Sequence, residues 1–382
     1  MKRMLRWSRP AWAALAATAL LTLGGCSLWG GSSAPKPAEL GPNVPVLGVR
    51  QAWTARIGPL SGMEPTVHVQ GDQVLLASAK GEVAAIDART GGDVWRAQLD
   101  TPLATGLGSD GQVSAVVSRN NQLIALQDGK KLWSQPLAAQ GYTAPLVAGA
   151  RVFVLTADRT VSAFDAKTGY PLWSQKRTGE PLILRQSGVL LAVGDTLVAG
   201  LSGRLVGFNP DNGAVRWEAP LASPRGTNDI ERLVELVGPA SRVHDSVCAR
   251  AFQAAVGCVD AQRGATVWAQ PAAGSVGIAG DDSALYGTES NGLVQAWSRA
   301  DGARGWSSDR LKYRRLTAPL LLGRSIVIGD ADGLVHLLSR DDGAPLNRLS
   351  TDGSGVAATP VVSGNTLVVV TRSGAVYGFR PD

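Results

Sequence analysis

The sequence predicts an all-β protein, an eight-bladed β-propeller of four-stranded antiparallel blades whose ring is closed by an N-terminal strand. Three observations lead to this prediction. One motif recurs about every forty residues, short β-rich runs precede each copy, and the last copy is incomplete. A period in that range indicates stacked supersecondary units. Four strands in each unit are typical of a propeller blade.

The recurring motif is clearest in Ala85-Ile-Asp-Ala-Arg-Thr-Gly-Gly-Asp-Val-Trp95. Further copies end at Trp133, Trp173, Trp217, Trp268, Trp306 and Asn347, the last of which keeps the frame without the Trp. The Asp-x-x-x-Gly part indicates a turn, because Asp bonds nearby backbone amides and Gly accepts a positive φ. The Trp lies on the strand after this turn. We expect it to pack between neighbouring blades.

The strands before each motif complete the blade. Val74-Leu-Leu-Ala-Ser and Val83-Ala-Ala-Ile-Asp flank a short break with Gly81, which is the pattern of a hairpin. A strand such as Thr143-Ala-Pro-Leu-Val comes before the hairpin. The last unit, 358–379, ends before its fourth strand, and Arg50-Gln-Ala-Trp53-Thr-Ala-Arg has the character of the missing one. Their pairing would close the ring and leave no open sheet edge.

Residues 1–25 are predicted to be a lipoprotein signal peptide. A basic start is followed by the apolar run Ala11–Leu23, which is shorter than the roughly twenty residues that span a bilayer. The segment ends in Leu23-Gly-Gly-Cys26, which resembles a bacterial lipobox and implies cleavage before Cys26 and its lipidation. A plain signal peptide with an incidental Cys is the alternative. Residues 26–45, rich in Gly, Ser and Pro, are expected to be a flexible tether, and 46–382 the propeller.

The formal net charge of +6 changes when the signal peptide is removed. Its four basic residues bring the 37 Lys and Arg down to 33, against 31 Asp and Glu, so the mature chain carries +2. No basic run or basic-aromatic stripe favours a nucleic-acid partner. We therefore expect no nucleic-acid binding.

Two segments interrupt the period. Lys176–Leu191 carries the apolar-basic run Leu182-Ile-Leu-Arg185, and Ala219–Val243 carries Asp229-Ile-Glu-Arg-Leu-Val-Glu-Leu236, a candidate short amphipathic turn. Loops on a rigid scaffold are where function concentrates. Ordinary tolerated insertions are the alternative.

No catalytic constellation is found, and we expect no enzyme, cofactor or metal. His68, His244 and His336 share no ligand spacing with Cys or carboxylates. Cys248 and Cys258 flank one hairpin at mirror-image positions, which places them opposite each other across a strand pair. In an oxidising periplasm they favour a disulfide, with two buried free thiols as the alternative.

The repeat Ala-x-Asp-x-x-Thr-Gly-x-x-x-Trp resembles the blade motif of the quinoprotein (PQQ-type) propellers. Together with the lipobox, the tether and eight blades, the mature chain resembles the BamB family, lipoproteins of the outer-membrane β-barrel assembly (BAM) machinery. The resemblance implies a non-catalytic scaffold, lipid-anchored to the periplasmic face of the outer membrane. Its implied partners are the POTRA domains of BamA, through BamA the other BAM subunits, and unfolded outer-membrane protein clients. Ser27, where Asp would favour inner-membrane retention, agrees with this location.

The same resemblance implies the binding residues. Gly179-Glu-Pro-Leu-Ile-Leu-Arg185 resembles the family's Leu-x-Leu-Arg loop, which makes Leu182 and Leu184 apolar anchors and Arg185 a polar contact. The 229–236 segment resembles the adjacent acidic loop, with Glu235 at one acidic position, whereas Val237 departs from the second. Two other functions remain open. A PQQ-dependent dehydrogenase would need an adjacent Cys pair and a calcium site. A periplasmic propeller that binds polysaccharide or peptidoglycan would use the same scaffold.

Overall fold

The computed structural model describes residues 35–178, 182–224, 227–228 and 232–382. Within these ranges the regular secondary structure is β, arranged as eight four-stranded antiparallel sheets. The predicted eight-bladed propeller is therefore confirmed. Cys26, with the rest of 1–34, lies outside the described residues.

Each blade uses consecutive strands, apart from the last, which also takes the first strand of the chain. The strand that closes the ring is β1 (Val49–Arg56). Blade 1 comprises β2 (His68–Gln70), β3 (Gln73–Ala77), β4 (Glu82–Asp87) and β5 (Asp93–Gln98). Blade 2 comprises β6 (Gly108–Ser109), β7 (Ser114–Val117), β8 (Gln122–Gln127) and β9 (Lys130–Pro136). Blade 3 comprises β10 (Leu146–Ala148), β11 (Arg151–Leu155), β12 (Thr160–Asp165) and β13 (Pro171–Lys176). Blade 4 comprises β14 (Leu190–Val193), β15 (Thr196–Leu201), β16 (Arg204–Phe208) and β17 (Val215–Pro220).

The second half of the ring repeats this order. Blade 5 comprises β18 (Leu236–Val243), β19 (Ser246–Ala251), β20 (Ala255–Asp260) and β21 (Ala265–Pro271). Blade 6 comprises β22 (Ile278–Gly280), β23 (Ala284–Thr288), β24 (Val294–Ser298) and β25 (Arg304–Ser308). Blade 7 comprises β26 (Leu320–Leu322), β27 (Ser325–Gly329), β28 (Leu334–Ser339) and β29 (Pro345–Ser350). Blade 8 comprises β30 (Val361–Ser363), β31 (Thr366–Val370) and β32 (Ala375–Pro381), with β1 as its outer strand.

Ring closure follows the predicted pairing. β1 runs antiparallel to β32, from Val49 opposite Pro381 to Arg56 opposite Ala375. The N-terminal strand thus supplies the fourth strand that the last repeat lacks, and it leaves β32 paired on both sides.

The repeated Trp joins each blade to the next, as expected. The Trp133 indole of blade 2 is buried, and its Nε1 donates to the Ala166 carbonyl of blade 3 at 2.9 Å. Gly169, in the Asp-x-x-x-Gly turn of blade 3, lies against the same indole, where an added Cβ would be 2.6 Å from its Cδ2. This Trp–Gly contact explains both fixed positions of the motif, because the Gly of one blade makes room for the Trp of the blade before it.

The apolar core lies between adjacent blades. One buried cluster combines Val117 and Leu123 of blade 2 with Val152, Val154 and Phe164 of blade 3. Small and β-branched side chains fill these narrow layers. The closely packed sheets hold their connecting loops at fixed positions around the ring.

The N-terminal segment is bonded to blade 7 over part of the expected tether. The Ala38 amide donates to the Lys312 carbonyl at 2.9 Å, just before blade 7, and Asn43 Nδ2 donates to the Arg348 carbonyl of β29 at 3.0 Å. Leu40 packs against an apolar cluster that includes Leu311. Here the structure differs from the expectation of a flexible tether through residue 45, since composition alone does not reveal these contacts.

Cys248 and Cys258 lie directly opposite each other on β19 and β20, as their mirror-image positions predict. Their sulfurs are joined at 2.00 Å. Both residues are buried.

The alternation of strand direction gives the propeller two faces. The turns between the second and third strands of each blade and the connections between blades lie on one side, which we call the connection face. The remaining turns lie on the opposite face. Within the described residues, no helix is long and apolar enough to cross a membrane.

Candidate partner-binding site

The candidate site is on the connection face, where the connection from blade 3 to blade 4 meets the connection from blade 4 to blade 5. All four residues expected to bind the partner lie on these two connections. The loop segments 179–181 and 229–231, which belong to the two family-like motifs, are outside the described residues. The fold therefore brings together two segments that are far apart in sequence.

Arg159 links the two connections. It occupies the turn between β11 and β12, and its Nη2 donates to Glu235 Oε1 at 2.7 Å and to the Leu182 carbonyl at 3.3 Å. The Arg159 side chain is 9% exposed and that of Glu235 is 16% exposed. Breaking a largely buried ion pair is costly, because it leaves an uncompensated charge. The pair therefore keeps the connection that carries Glu235 bound to the turn that carries Arg159. Glu235 thus fixes the loop geometry, and only a small part of it is available to a partner.

Sequence reasoning missed Arg159, although the repeat contains a signal for it. Its φ is +60°, in the left-handed region, and the matching turn position is Gly in blades such as 1 and 7 (Gly81 and Gly333). A non-Gly residue there costs roughly 1–2 kcal/mol. An Arg at a position where the other repeats favour Gly therefore indicates that its side chain has a specific role.

The two leucines have different environments. Leu182 is 38% exposed, so it presents an apolar side chain to solvent. Leu184 is half-buried and lines a small cavity of about 50 Å³ with Leu155, Leu201 and Leu236. Leu182 has the accessibility of a binding anchor, whereas Leu184 also supports the loop from below.

Arg185 is exposed and turned toward the axis of the ring. Its Nη2 donates to the Gly62 carbonyl at 3.0 Å, and its guanidinium lies 5.9 Å from the centre of the Tyr142 ring. Burial raises the pKa of the nearby Glu64 carboxyl, although the Ser187 backbone amide and Arg185 act to lower it. These contacts hold Arg185 in place and leave part of its guanidinium open to a partner.

Val237, which departs from the family's second acidic position, is buried in β18 opposite Arg250 of β19. Arg250 is fully buried, and its Nη1 donates to Glu289 of blade 6 at 3.0 Å. Burial lowers the pKa of Arg250, while Glu289 acts to raise it. Position 237 therefore contributes to the interior and not to the surface.

The histidines occupy separate blades, as their spacing indicates. His336 is buried against Asp330 at 3.0 Å, and His244 is exposed in a turn of blade 5. Burial lowers the pKa of His68, while hydrogen bonds involving Gln70 and Ser109 raise it. Across the described part of the chain, no three His, Cys, Asp or Glu side chains form a group that could hold a metal ion.

The comparisons with known proteins agree on one family. Residues 79–308 match the family model described as outer membrane protein assembly factor BamB. A protein of that name from Burkholderia pseudomallei is 41% identical over 348 residues, which cover 90% of this chain and 91% of the relative. One from Bordetella pertussis is 36% identical and covers 99% of this chain and 100% of the relative.

Solved structures give the same picture of the fold. The crystal structure of BamB from Moraxella catarrhalis superposes with a TM-score of 0.79 at 25% sequence identity, covering 87% of this chain and 99% of that one. A quinohemoprotein alcohol dehydrogenase from Comamonas testosteroni superposes with a TM-score of 0.66 at 15% identity, covering 88% and 77% of the two chains. At that identity the second likeness shows a shared fold alone.

Proposed function

The chain belongs to the BamB family of outer membrane protein assembly factors, and from this premise we propose that it is a non-catalytic scaffold subunit of the BAM complex. In this role it binds the POTRA domains of BamA and supports the assembly and insertion of β-barrel proteins into the outer membrane. Lipidated Cys26 tethers it to the periplasmic face of that membrane. Its other contacts, with the remaining BAM subunits and with unfolded clients, follow from its place in the complex.

The observation that carries this proposal is the position of Leu182 and Arg185. The two side chains are exposed on the same loop, and Arg159 bonds both this loop, at the Leu182 carbonyl, and Glu235. An Arg held in place on a loop with an exposed Leu is a suitable binding centre, because a few residues, Arg among the commonest, usually carry most of the affinity of an interface. Leu184 and Glu235 support Leu182 and Arg185, and only their exposed atoms can contact the partner.

Two contacts hold the described part of the loop, Leu182–Arg185, in place. A loop that is ordered before binding loses less conformational entropy when the partner arrives. In this protein the order comes from the Arg159 contacts on one side and from the Arg185 bond to the Gly62 carbonyl on the other. The first contact comes from a turn of blade 3, and the second reaches the connection between blades 8 and 1.

The test is capture of detergent-solubilised BamA by the full-length lipoprotein, with wild type compared with Leu182→Ala/Arg185→Ala. We expect the double variant to lose at least about tenfold in affinity, which corresponds to roughly 1.4 kcal/mol. Leu172→Ala/Arg324→Ala is the matched control, since Leu172 is 41% exposed on an outer strand and Arg324 is exposed on the opposite face. Equal capture by both variants would move the interface elsewhere. Failure of wild type to capture BamA would refute the scaffold function.

A further inference from the structure

A channel runs along the axis of the propeller, and its lining is largely small and uncharged. The cavity has a volume of about 670 Å³ and is lined by the innermost strands and adjoining loops of most blades. Its wall includes Val67, Ala240, Ala279, Ala358 and Val361. The innermost strand of each sheet is paired with another strand on one side only. On the other side, Gly238 of β18 exchanges backbone hydrogen bonds with Ser187 and Gly277. The inner edges of the other innermost strands present backbone groups to the channel.

Four arginines surround the mouth of this channel on the connection face. Arg315 and Arg372 line the channel itself and are exposed. Arg119 and Arg185 both donate to the Gly62 carbonyl, at 2.6 and 3.0 Å, beside the segment that carries Glu64. All four lie on connections between blades or on turns between second and third strands. We call this set the basic mouth.

The basic mouth has little internal compensation. Among the described residues that line the channel, Glu64 is the one carboxylate. Neither Arg315 nor Arg372 forms an ion pair with a carboxylate in the described part of the chain, whereas the neighbouring Arg314 is paired with both Asp330 and Asp332 at 2.7 Å. Like charges gathered at the rim of a concave, low-dielectric site produce a positive potential that attracts anions.

We propose that the basic mouth binds an acidic, extended polypeptide segment of a partner protein. Its carboxylates pair with Arg315 and Arg372, since guanidinium and carboxylate can form two parallel charge-assisted hydrogen bonds. Its main chain lies toward the unpaired edges of the innermost strands, which offer the backbone groups that an extended peptide uses in recognition. The largely uncharged wall of the channel can lie against the bound peptide without bringing further charged side chains close to it.

This site shares Arg185 with the proposed BamA contact, but the two arginines that line the channel, Arg315 and Arg372, are not part of that contact. Arg315 and Arg372 belong to blades 7 and 8, whereas the BamA-binding loop lies between blades 3 and 4. Substitutions at Arg315 and Arg372 therefore test the basic mouth alone. Capture of BamA can fail while acidic-peptide binding succeeds, and the reverse is also possible.

The test uses the full-length lipoprotein in detergent micelles and a fluorescein-labelled decaglutamate peptide, with binding followed by anisotropy at low ionic strength. We expect Arg315→Glu/Arg372→Glu to bind the peptide at least about tenfold more weakly than wild type. The control is Arg263→Glu/Arg324→Glu, which changes the net charge by the same amount on the opposite face. We expect the control to remain within about twofold of wild type, because its charges lie on the opposite face and salt screens exposed charges over a Debye length of roughly 10 Å.

Three outcomes would overturn the proposal. Wild type that does not bind the peptide shows that the mouth has no such ligand. Equal weakening by the two double variants shows that net charge, and not the site, attracts the peptide. Anionic phospholipid vesicles that bind through Arg315 and Arg372, when the peptide does not, assign the mouth to a membrane. Circular dichroism checks folding of each variant, and Arg315→Gln/Arg372→Gln replaces the glutamate pair if that pair does not fold.

Discussion

The side-chain amide of Asn347 donates to the backbone carbonyl of Leu47 at 2.7 Å. Asn347 occupies the motif position that is Trp in the other six copies. In those copies the Trp packs against the Gly turn of the next blade, but blade 8 takes its outer strand from the N-terminus and has no such turn. Asn347 instead bonds the segment that leads into β1. The exception in the repeat therefore lies at the junction where the ring is closed.

Replacing Asn347 should loosen this junction. Asn347→Ala leaves the partly buried Leu47 carbonyl without its donor, and the cost is below the about 1–3 kcal/mol of a fully buried unsatisfied group. We expect a lower free energy of unfolding and faster hydrogen exchange at the Val46 and Leu47 amides, measured by urea titration and mass spectrometry. Asn43→Ala is the control. Asn43 is exposed and donates to the Asn347 side chain, so its removal leaves the bond from Asn347 to Leu47 in place. Equal effects of both substitutions would contradict a special role for position 347.

The Trp–Gly contact can be tested within one blade. Gly149 and Gly169 both have positive φ, +57° and +74°, so an Ala at either position is strained by roughly 1–2 kcal/mol. At Gly149 an added Cβ meets only the end of Arg151, at 3.8 Å, whereas at Gly169 it meets the Trp133 ring at 2.6 Å. We expect Gly169→Ala to destabilise the protein by at least about 1 kcal/mol more than Gly149→Ala, owing to overpacking. Indistinguishable urea midpoints for the two variants would argue against the contact.

The blades could be predicted from the sequence because the interactions that form them are local and repeated. Asp-x-x-x-Gly forms a turn, and the Trp that follows packs against the next blade. Each copy of the motif therefore specifies both a turn and a contact between blades. The candidate site was readable only through resemblance. Its shape depends on Arg159 reaching two connections, and no local pattern encodes a contact between residues as distant in sequence as Arg159 and Glu235. The tether contacts escaped prediction for the same reason, since Ala38 bonds Lys312, which is more than 270 residues further along the chain.

The Cys248–Cys258 disulfide should contribute measurably to stability. It closes a loop with a sequence separation of 10, for which the chain-entropy model gives about 3 kcal/mol. We expect a reducing agent to lower the urea midpoint of wild type and to leave that of Cys248→Ser/Cys258→Ser unchanged. Thiol titration of unreduced, unfolded protein should find neither cysteine. Detection of both thiols would mean that the pair remains reduced.

Asp330 in blade 7 should make stability depend on acid pH. Burial raises its pKa, but hydrogen bonds with His336 at 3.0 Å and from Arg314 at 2.7 Å outweigh burial and hold the pKa below its usual value. A depressed pKa in the folded state contributes stability above the unfolded value of about 3.9. That contribution is lost as the pH falls through the folded pKa.

Asp330→Asn should therefore unfold more easily than wild type near neutral pH, by about 3–5 kcal/mol for a buried charge partner. The difference should shrink as the pH falls below about 4, because Asp330 of the unfolded chain is protonated there while the folded carboxylate stays ionised to a lower pH. Asp211→Asn is the exposed control, since Asp211 is paired with Arg151 but 70% exposed, and we expect a change of less than about 1 kcal/mol. Urea titrations across the acid range measure all three proteins. A difference that stays constant with pH would contradict the role of Asp330.

A substitution at Arg159 can test the positioning of the loop separately from the folding of the protein. Arg159→Gly removes the side chain that joins Leu182 to Glu235, and it also relieves the strain of φ +60°, so the turn itself should be retained. We expect the connection that carries Leu182 to become more sensitive to limited proteolysis and capture of BamA to weaken by at least about tenfold, because the anchors are no longer held before binding. Glu235→Gln keeps the shape of the acceptor without its charge and should give a smaller effect in the same direction. In a double-mutant cycle, the losses in free energy of unfolding caused by the two substitutions should be less than additive. The difference should be about 0.5–3 kcal/mol, as expected for residues in direct contact. If Arg159→Gly binds BamA as wild type does while its loop is cleaved faster, the interface does not depend on a fixed loop, and the affinity must come from residues outside it.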